Sequence, residues 1–329
     1  MKQRIISSLG LSVLAGVSLV TPALAVVSID YAFVGNVNNA ADSTGYGAVG
    51  YAYKIAKNET TIGQYAAFLN AVAKTDTYSL YSTSMTTSAI AGITRGGSAG
   101  GYTYAPVAGS ENKPITYVSW FDAARFCNWL HNGQPSGAQN ASTTEDGAYT
   151  LLGAMSDVSV FKNAAAKVWI PSENEWYKAA YYDATKDGTG GYWAYPTQSN
   201  SMTTNDLGVA GAANYKDASG YATYVGGTSS GITDVGAYGA NSDSFYGTND
   251  QGGNVWEWND AVTSGSWRGL RGGSWDLYGS YYLSSSSRGN NLPSDEYAGA
   301  GFRVASVPEP SCVVLTLLAS GMLVTRRKR

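Results

Sequence analysis

The sequence predicts one domain in which three amphipathic helices and several short strands are joined by long, irregular connections. Apolar residues recur at helical spacing in three separate segments, whereas the polar stretches 76–111, 132–166 and 184–250 show almost no periodicity. Glycine (40 residues) and tyrosine (25) are abundant, which is typical of loop-rich surfaces. Because no tandem repeat or internal boundary is visible, we predict one domain over residues 45–306, with residues 26–44 forming a strand or a loose lead-in.

Each predicted helix has a recognisable start. The three starts lie near Thr60, Ser119 and Ser172. The first helix is expected to run to about Lys74, because apolar residues continue to this point at intervals of three and four. Serine at the second and third starts is a good N-cap, and Asp122 and Glu175 follow three residues later, as in a capping box. We therefore predict capped helices at both places.

Charge and cysteine usage exclude several classes of partner and of stabilising link. The chain has a formal net charge of −3, but residues 26–306 hold 15 basic and 23 acidic residues, a net charge of −8. No nucleic acid is expected as a partner, because phosphate binding needs a basic face. The two cysteines are Cys127 and Cys312, and the second lies in a terminal segment that we expect to be removed. An internal disulfide is then not expected.

The first 25 residues have the pattern of a secretory signal peptide. Lys2 and Arg4 form a basic start, residues 5–20 are apolar, and Ala23-Leu24-Ala25 is a cleavage site of small residues. Cleavage would leave a mature chain that begins at Val26. We therefore expect residues 1–25 to be removed during export through the Sec machinery.

The last 23 residues, 307–329, combine a Val-Pro-Glu-Pro-Ser start with an apolar run over 312–324 and a basic end at 326–329. An apolar run this short is below the ~20 residues that span a membrane comfortably. The arrangement resembles the PEP-CTERM sorting tail of Gram-negative bacteria, which an exosortase cleaves. The resemblance implies only transient membrane contact and delivery to the cell surface or extracellular matrix. An ordinary C-terminal membrane anchor is the alternative.

Five separated blocks carry a second resemblance. They are residues 59–70, 114–130, 169–180, the GNVWEW block 253–258, and the RGGSW block 271–275 followed by Arg288 and GFR at 301–303. Their order and spacing resemble the formylglycine-generating enzyme family, also called sulfatase-modifying factors. The resemblance implies a single α+β domain that is C-type-lectin-like, rich in loops and poor in regular secondary structure.

The resemblance also identifies where catalytic cysteines should stand. Aerobic members of the family oxidise a substrate cysteine with copper(I) held by two cysteines, three and eight residues after the serine of the RGGS block. Counting from Ser274 gives Leu277 and Tyr282, and neither side chain can supply a thiolate. No copper is therefore expected. The lone histidine, His131, cannot form a multi-histidine zinc or iron site and is read as a helix-end residue.

We therefore expect a non-catalytic pocket for a ligand, such as an envelope or matrix polysaccharide. Its candidate residues are Trp256, Ser274, Leu277, Tyr278, Tyr281 and Tyr282. Tyrosine and serine make adaptable contacts to sugars and peptides, but these tyrosines could equally pack their own loop. Two further hypotheses stay open: an enzyme that modifies proteins or sugars by copper-independent chemistry, and a purely structural matrix protein.

The resemblance further implies structural calcium. The family binds calcium at the GNVWEW turn, and the matching positions are Asp250, Gly253, Val255 and Glu257. Oxygen ligands on a turn suit this hard cation. A second family site would include Asn214 and Tyr215, although its later ligands do not align. The alternative for Glu257 is a buried ion pair with an arginine.

The same blocks also allow a purely structural interpretation. Trp256, Trp258 and Trp275 are large enough to serve as pillars of a loop-rich core. Arg271 and Arg303 would then tie loops together through carbonyls or carboxylates. For these five residues we expect a role in the scaffold.

Overall fold

The computed structural model describes residues 26–202, 204–218 and 231–308. The predicted signal peptide and most of the predicted sorting tail lie outside these residues. No helix within the described ranges is both long and apolar enough to cross a membrane.

Three of the four α-helices in the described residues begin with a capping box. The helices are α1 (Ile62–Val72), α2 (Ser84–Thr87), α3 (Trp120–His131) and α4 (Glu173–Tyr181). In α3 and α4 the N-cap serine accepts from the backbone of the third residue, whose carboxylate accepts from the N-cap backbone in return. This confirms both predicted capping boxes. The first helix has a capping box as well, formed by Thr61 and Gln64. Helix α1 is slightly shorter at each end than predicted.

Within the described ranges the strands are short and form four small sheets. In chain order, those of the described residues are β1 (Tyr31–Val34), β2 (Tyr53–Ala56), β3 (Ile93–Gly96), β4 (Thr103–Pro106), β5 (Val168–Trp169), β6 (Tyr182–Asp183), β7 (Gly191–Tyr192), β8 (Trp256–Val262), β9 (Arg268–Arg271), β10 (Gly289–Asn291), β11 (Ala300–Gly301) and β12 (Ala305–Ser306). One sheet has the order β1-β2-β12-β5 and another β10-β9-β8-β11, while β3-β4 and β6-β7 are two-stranded.

The two larger sheets bring distant parts of the chain together. Strand β12 lies between β2 and β5 and is antiparallel to both. Strand β11 pairs in parallel with β8, so that the GFR block lies beside the GNVWEW block. Strand β1 pairs with β2 and buries Val34, which resolves the two alternatives for residues 26–44 in favour of a strand.

Aromatic rings fill the core between α1 and α3. Phe68 and Phe126 pack edge to face with ring centroids 5.4 Å apart, and Phe302 of the GFR block contacts Phe126 at the same distance. Cys127 is fully buried on α3, and burial raises the pKa of its thiol. It is a small core residue, as its position on the helix predicts.

Candidate functional site

The GNVWEW and GFR blocks meet in a buried ion pair. Arg303 Nε lies 2.6 Å from Glu257 Oε2, and Arg303 Nη2 lies 2.8 Å from Glu257 Oε1. Trp176 on α4 donates its indole N–H to the same carboxylate at 2.8 Å. Both Glu257 and Arg303 are fully buried. Of the two alternatives for Glu257, the arginine pair is therefore the observed arrangement.

Arg303 also donates to three carbonyls on two backbone segments. Its Nη1 donates to the carbonyls of Ala56 (3.0 Å) and Lys57 (2.7 Å), and its Nη2 donates to the carbonyl of Asn249 (2.7 Å). The guanidinium thus joins the end of β2 to the turn before GNVWEW. This confirms the predicted role of Arg303 in tying loops together.

The RGGSW block is fixed by a second buried carboxylate. Glu173, the first residue of α4, accepts from Arg271 Nε at 2.9 Å and from Arg288 Nε and Nη2 at 2.7 Å each. Arg271 Nη1 further donates to the carbonyls of Ser285 (3.0 Å) and Ser287 (2.6 Å). One carboxylate at a helix start therefore holds both ends of segment 271–288.

The GNVWEW turn depends on a glycine. Gly253 has a φ of +88°, and a Cβ at this position would lie 2.2 Å from the carbonyl oxygen of Asn214. The side chain of Asn254 accepts from Asn214 Nδ2 at 3.0 Å and donates to Glu59 Oε1 at 3.1 Å. The contact with Glu59, which lies in the first of the five blocks along the chain, could not be predicted from the sequence.

The predicted calcium ligands Glu257 and Asp250 lie in different surroundings. Both oxygens of Glu257 accept from Arg303, and Oε2 also accepts from Trp176. One oxygen of Asp250 accepts from Gly236 N at 2.5 Å, no basic side chain of the described residues pairs with it, and burial raises its pKa to about 6. Burial raises the pKa of nearby Glu59 well above its usual value, and its Oε2 has no partner among the described residues.

The other predicted metal ligands are two side chains, Asn214 and Tyr215, and two main-chain positions. Asn214 donates its side-chain N–H to Gly231 O at 3.1 Å and to Asn254, while Tyr215 packs against buried Leu283. Gly253 and Val255 would contribute only main-chain oxygens. Within the described ranges there is no group of three or more His, Cys, Asp or Glu side chains that could hold a metal. Calcium binding therefore stays a prediction.

The predicted pocket residues divide into a buried and an exposed set. Ser274 is buried, and its hydroxyl donates to Asp276 Oδ1 at 2.5 Å. Trp256 is half-buried against Gly289 of β10, and its backbone N–H donates to Gly299 O at 2.7 Å. Because a Cβ on Gly299 would lie 3.1 Å from Ser274 Oγ, Trp256 and Ser274 flank the same glycine.

The tyrosines lie on the surface. Tyr278 and Tyr281 are each 65% exposed and Tyr282 is 37% exposed, while the neighbouring Leu283 is fully buried. Tyr281 and Tyr282 meet edge to face at 5.6 Å on a 3-10 turn over Ser280–Leu283. Leu277 O accepts from Lys216 N at 3.1 Å, which attaches the segment to the preceding loop. Leu283 therefore packs the loop, and Tyr278 and Tyr281 are available for contact.

His131 has a local structural role. It is the last residue of α3, and its Nδ1 accepts from the backbone N–H of Lys167 at 3.0 Å. Burial, followed by the charge of Lys167, lowers the pKa of the imidazole. This agrees with the predicted position at a helix end.

Fold and site together define a class: a loop-rich α+β domain whose loops are fixed by buried arginine–carboxylate pairs. Residues 42–307 match the family described as the sulfatase-modifying factor enzyme 1-like domain, and the chain belongs to this family. The predicted C-type-lectin-like fold of formylglycine-generating enzymes is thereby confirmed.

The chain is similar to several solved structures. Treponema denticola variable protein 1 is 20% identical, with a TM-score of 0.50 and coverage of 87% of this chain and 98% of that one. CarF is 20% identical, with a TM-score of 0.49 and coverage of 86% and 99%. PvdO from Pseudomonas aeruginosa is 16% identical, with a TM-score of 0.45 and coverage of 85% and 92%. Comparison with curated proteins gives no significant match.

Proposed function

We propose that this protein is an exported, non-catalytic family member that binds a polysaccharide through the tyrosines of segment 276–282. The exposure of Tyr278 and Tyr281, at 65% each, carries the proposal. A tyrosine ring offers a flat apolar face and a hydroxyl, which match the apolar face and the hydroxyl groups of a sugar. Two of its side-chain torsions are ordered on binding, so the entropic cost is small.

The surroundings of this surface favour a ligand of little negative charge. Asp276 is exposed beside the tyrosines, and residues 26–306 carry a net charge of −8. A strongly anionic polymer would be repelled over about one Debye length, ~8 Å at physiological salt. A neutral polysaccharide of the cell envelope or extracellular matrix is therefore the favoured ligand.

The binding proposal is tested with the purified protein and a panel of neutral and acidic polysaccharides. Binding to a neutral member is expected, and the double variant Tyr278→Ser/Tyr281→Ser should abolish it. Phe33→Ser is the matched control, since Phe33 is an exposed aromatic residue on β1 of the other large sheet. Absence of binding by the folded protein, or undiminished binding by the double variant, would refute the proposal.

The non-catalytic part of the proposal rests on the missing thiols. Leu277 and Tyr282 stand where the resemblance places the copper-binding cysteines, and Cys127 is buried in the core. Incubation with copper, oxygen and a cysteine-containing peptide should leave the peptide mass unchanged. A loss of mass at the peptide cysteine would instead establish the enzymatic alternative.

The export part of the proposal rests on the two terminal sequence patterns. Expression of the full chain in a Gram-negative host that has an exosortase should give a surface-associated protein that begins at Val26 and lacks the basic end. Mass spectrometry of the surface fraction measures both ends. A protein that keeps Arg326–Arg329 and stays in the membrane would favour the ordinary anchor instead.

A further inference from the structure

A cavity of about 400 Å³ lies between helix α1 and strand β4. This volume is within the range of about 300–1,000 Å³ that is typical of small-molecule pockets. The wall formed by α1 includes Gly63, Ala66 and Ala67, and the opposite wall includes Tyr102 and Pro106. Both walls are mainly apolar, so an apolar body of ligand size fits between the helix and the strand.

The helix and the strand are fixed to each other at both ends of this cavity. Asn70 of α1 accepts from Tyr104 N at 3.0 Å and donates to Tyr104 O at 2.7 Å. At the start of the helix, Gly63 N donates to the carbonyl of Glu111, which follows β4, at 2.9 Å. Small side chains on this face of α1, such as Ala67, leave the space between these contacts open. The cavity is therefore a regular part of the folded domain.

The backbone donors on the α1-facing edge of β4, within the described range 102–106, are all used or absent. Tyr102 N donates to Lys74 O at 3.1 Å. Tyr104 N is bonded to Asn70, and Pro106 has no N–H. A peptide that adds a strand to a sheet needs free donors and acceptors along the edge. The cavity therefore favours a ligand that is held by apolar contact over an extended peptide.

One positive charge stands beside the cavity. Lys74 is exposed and lines both this cavity and a neighbouring one of about 260 Å³. No acidic side chain is among the described residues that line either cavity, and Lys74 forms no ion pair with any described residue. Asp76, two positions further along the chain, lies 3.7 Å from Arg95 Nη1 and accepts from Leu80 N. The Lys74 ammonium is therefore available to a negatively charged group.

We propose that the two cavities bind a single-chain anionic amphiphile as a monomer. Its alkyl chain would lie between α1 and β4, and its carboxylate would contact Lys74 Nζ. A hydroxyl-bearing end group would extend toward Thr75 and Thr77, which are exposed and line the second cavity. Residues 26–306 carry a net charge of −8, which opposes binding to an anionic membrane surface. The attraction for an anion is a local property of Lys74.

The test titrates the purified protein with decanoate and with the uncharged decanamide, both as monomers, and measures binding by calorimetry. Decanoate should bind about three- to fivefold more tightly than decanamide, which is the size of an exposed ion pair. The variant Lys74→Gln should bind both equally. Lys167→Gln is the matched control and should keep the preference, since Lys167 is exposed but lines neither cavity.

A second variant tests the apolar part of the site. Ala67→Phe fills the cavity and should weaken the binding of both ligands at least about tenfold, because the alkyl chain loses its buried contact. Ala67→Ser leaves the space open and should retain binding. If Ala67→Phe does not fold, Thr103→Phe replaces it, because Thr103 is an exposed lining residue on β4.

The remaining outcomes overturn the proposal. They are an absence of saturable decanoate binding by the folded protein, a preference for decanoate that survives Lys74→Gln, and binding to anionic vesicles without binding of monomers. The variant Tyr278→Ser/Tyr281→Ser should bind decanoate like the wild type. Loss of decanoate binding in that variant would assign the ligand to the tyrosine surface instead.

Discussion

Two neighbouring regions of this domain differ sharply in how they are held. The Glu257–Arg303 pair is fully buried, and Arg303 donates to three carbonyls on two separate backbone segments. Tyr278 and Tyr281 are mostly exposed and are held mainly by backbone contacts of their loop. The blocks that identify the family therefore build the scaffold, whereas the side chains of the segment beside them contribute little to it. The absence of cysteine at 277 and 282 is compatible with an intact fold for this reason.

The RGGSW block contains the boundary between the two regions. Arg271 is buried and paired with Glu173, while Asp276, five residues later, is exposed. Arg288, at the other end of segment 271–288, forms an ion pair with the same Glu173 carboxylate. The segment is thus a surface loop whose two ends are fixed by one buried glutamate.

The strongest test of the scaffold is Arg303→Leu. Removing one partner leaves the Glu257 carboxylate buried without a counter-charge, so the free energy of unfolding should fall by about 3–5 kcal/mol. Denaturant unfolding measures this loss. The double variant Arg303→Leu/Glu257→Leu should recover part of it, because no unpaired charge remains. A loss below about 1 kcal/mol in the single variant would contradict a scaffold role.

A second test compares the two arginines that share Glu173. Arg271 is fully buried, whereas the side chain of Arg288 is 31% exposed. Arg271→Ala should therefore cost about 3 kcal/mol, and Arg288→Ala about 1 kcal/mol, in the free energy of unfolding. Equal effects would show that burial does not set the strength of these pairs.

The N-cap of α4 gives a smaller effect on the same part of the scaffold. Ser172→Ala removes the hydroxyl that accepts from Glu175 N and should cost about 1 kcal/mol in the free energy of unfolding. Ser172→Thr keeps the acceptor and should retain most of the stability. If both variants lose the same amount, the cap is not the cause.

The tyrosine surface should give the smallest effect on stability. Tyr278→Ser/Tyr281→Ser is expected to change the free energy of unfolding by no more than about 0.5 kcal/mol per site, because both residues are exposed. The same variant should lose polysaccharide binding. A large loss of stability would remove the contrast between the two regions.

Much of the fold follows from short-range patterns in the sequence. The capping boxes at Ser119 and Ser172 need only residues three positions apart, and the absence of cysteine at 277 and 282 is visible by inspection. The family blocks likewise identify the α+β domain before any contact is known. These features depend on residues that are close together in the sequence, so they can be predicted without knowledge of tertiary contacts.

The tertiary structure decided which distant groups meet. Glu257 lies 46 positions from Arg303, so the sequence left calcium and arginine as alternative partners for its carboxylate. The exposure of Tyr278 could not be predicted from the sequence either, nor could the buried hydroxyls of Thr197 and Ser242, which have no hydrogen-bond partner among the described residues. Burial and hydrogen-bond partners depend on how the loops fold against each other. Sequence periodicity predicts which face of a helix or strand is buried. Long connections have no periodicity, so the burial of their side chains cannot be predicted in this way.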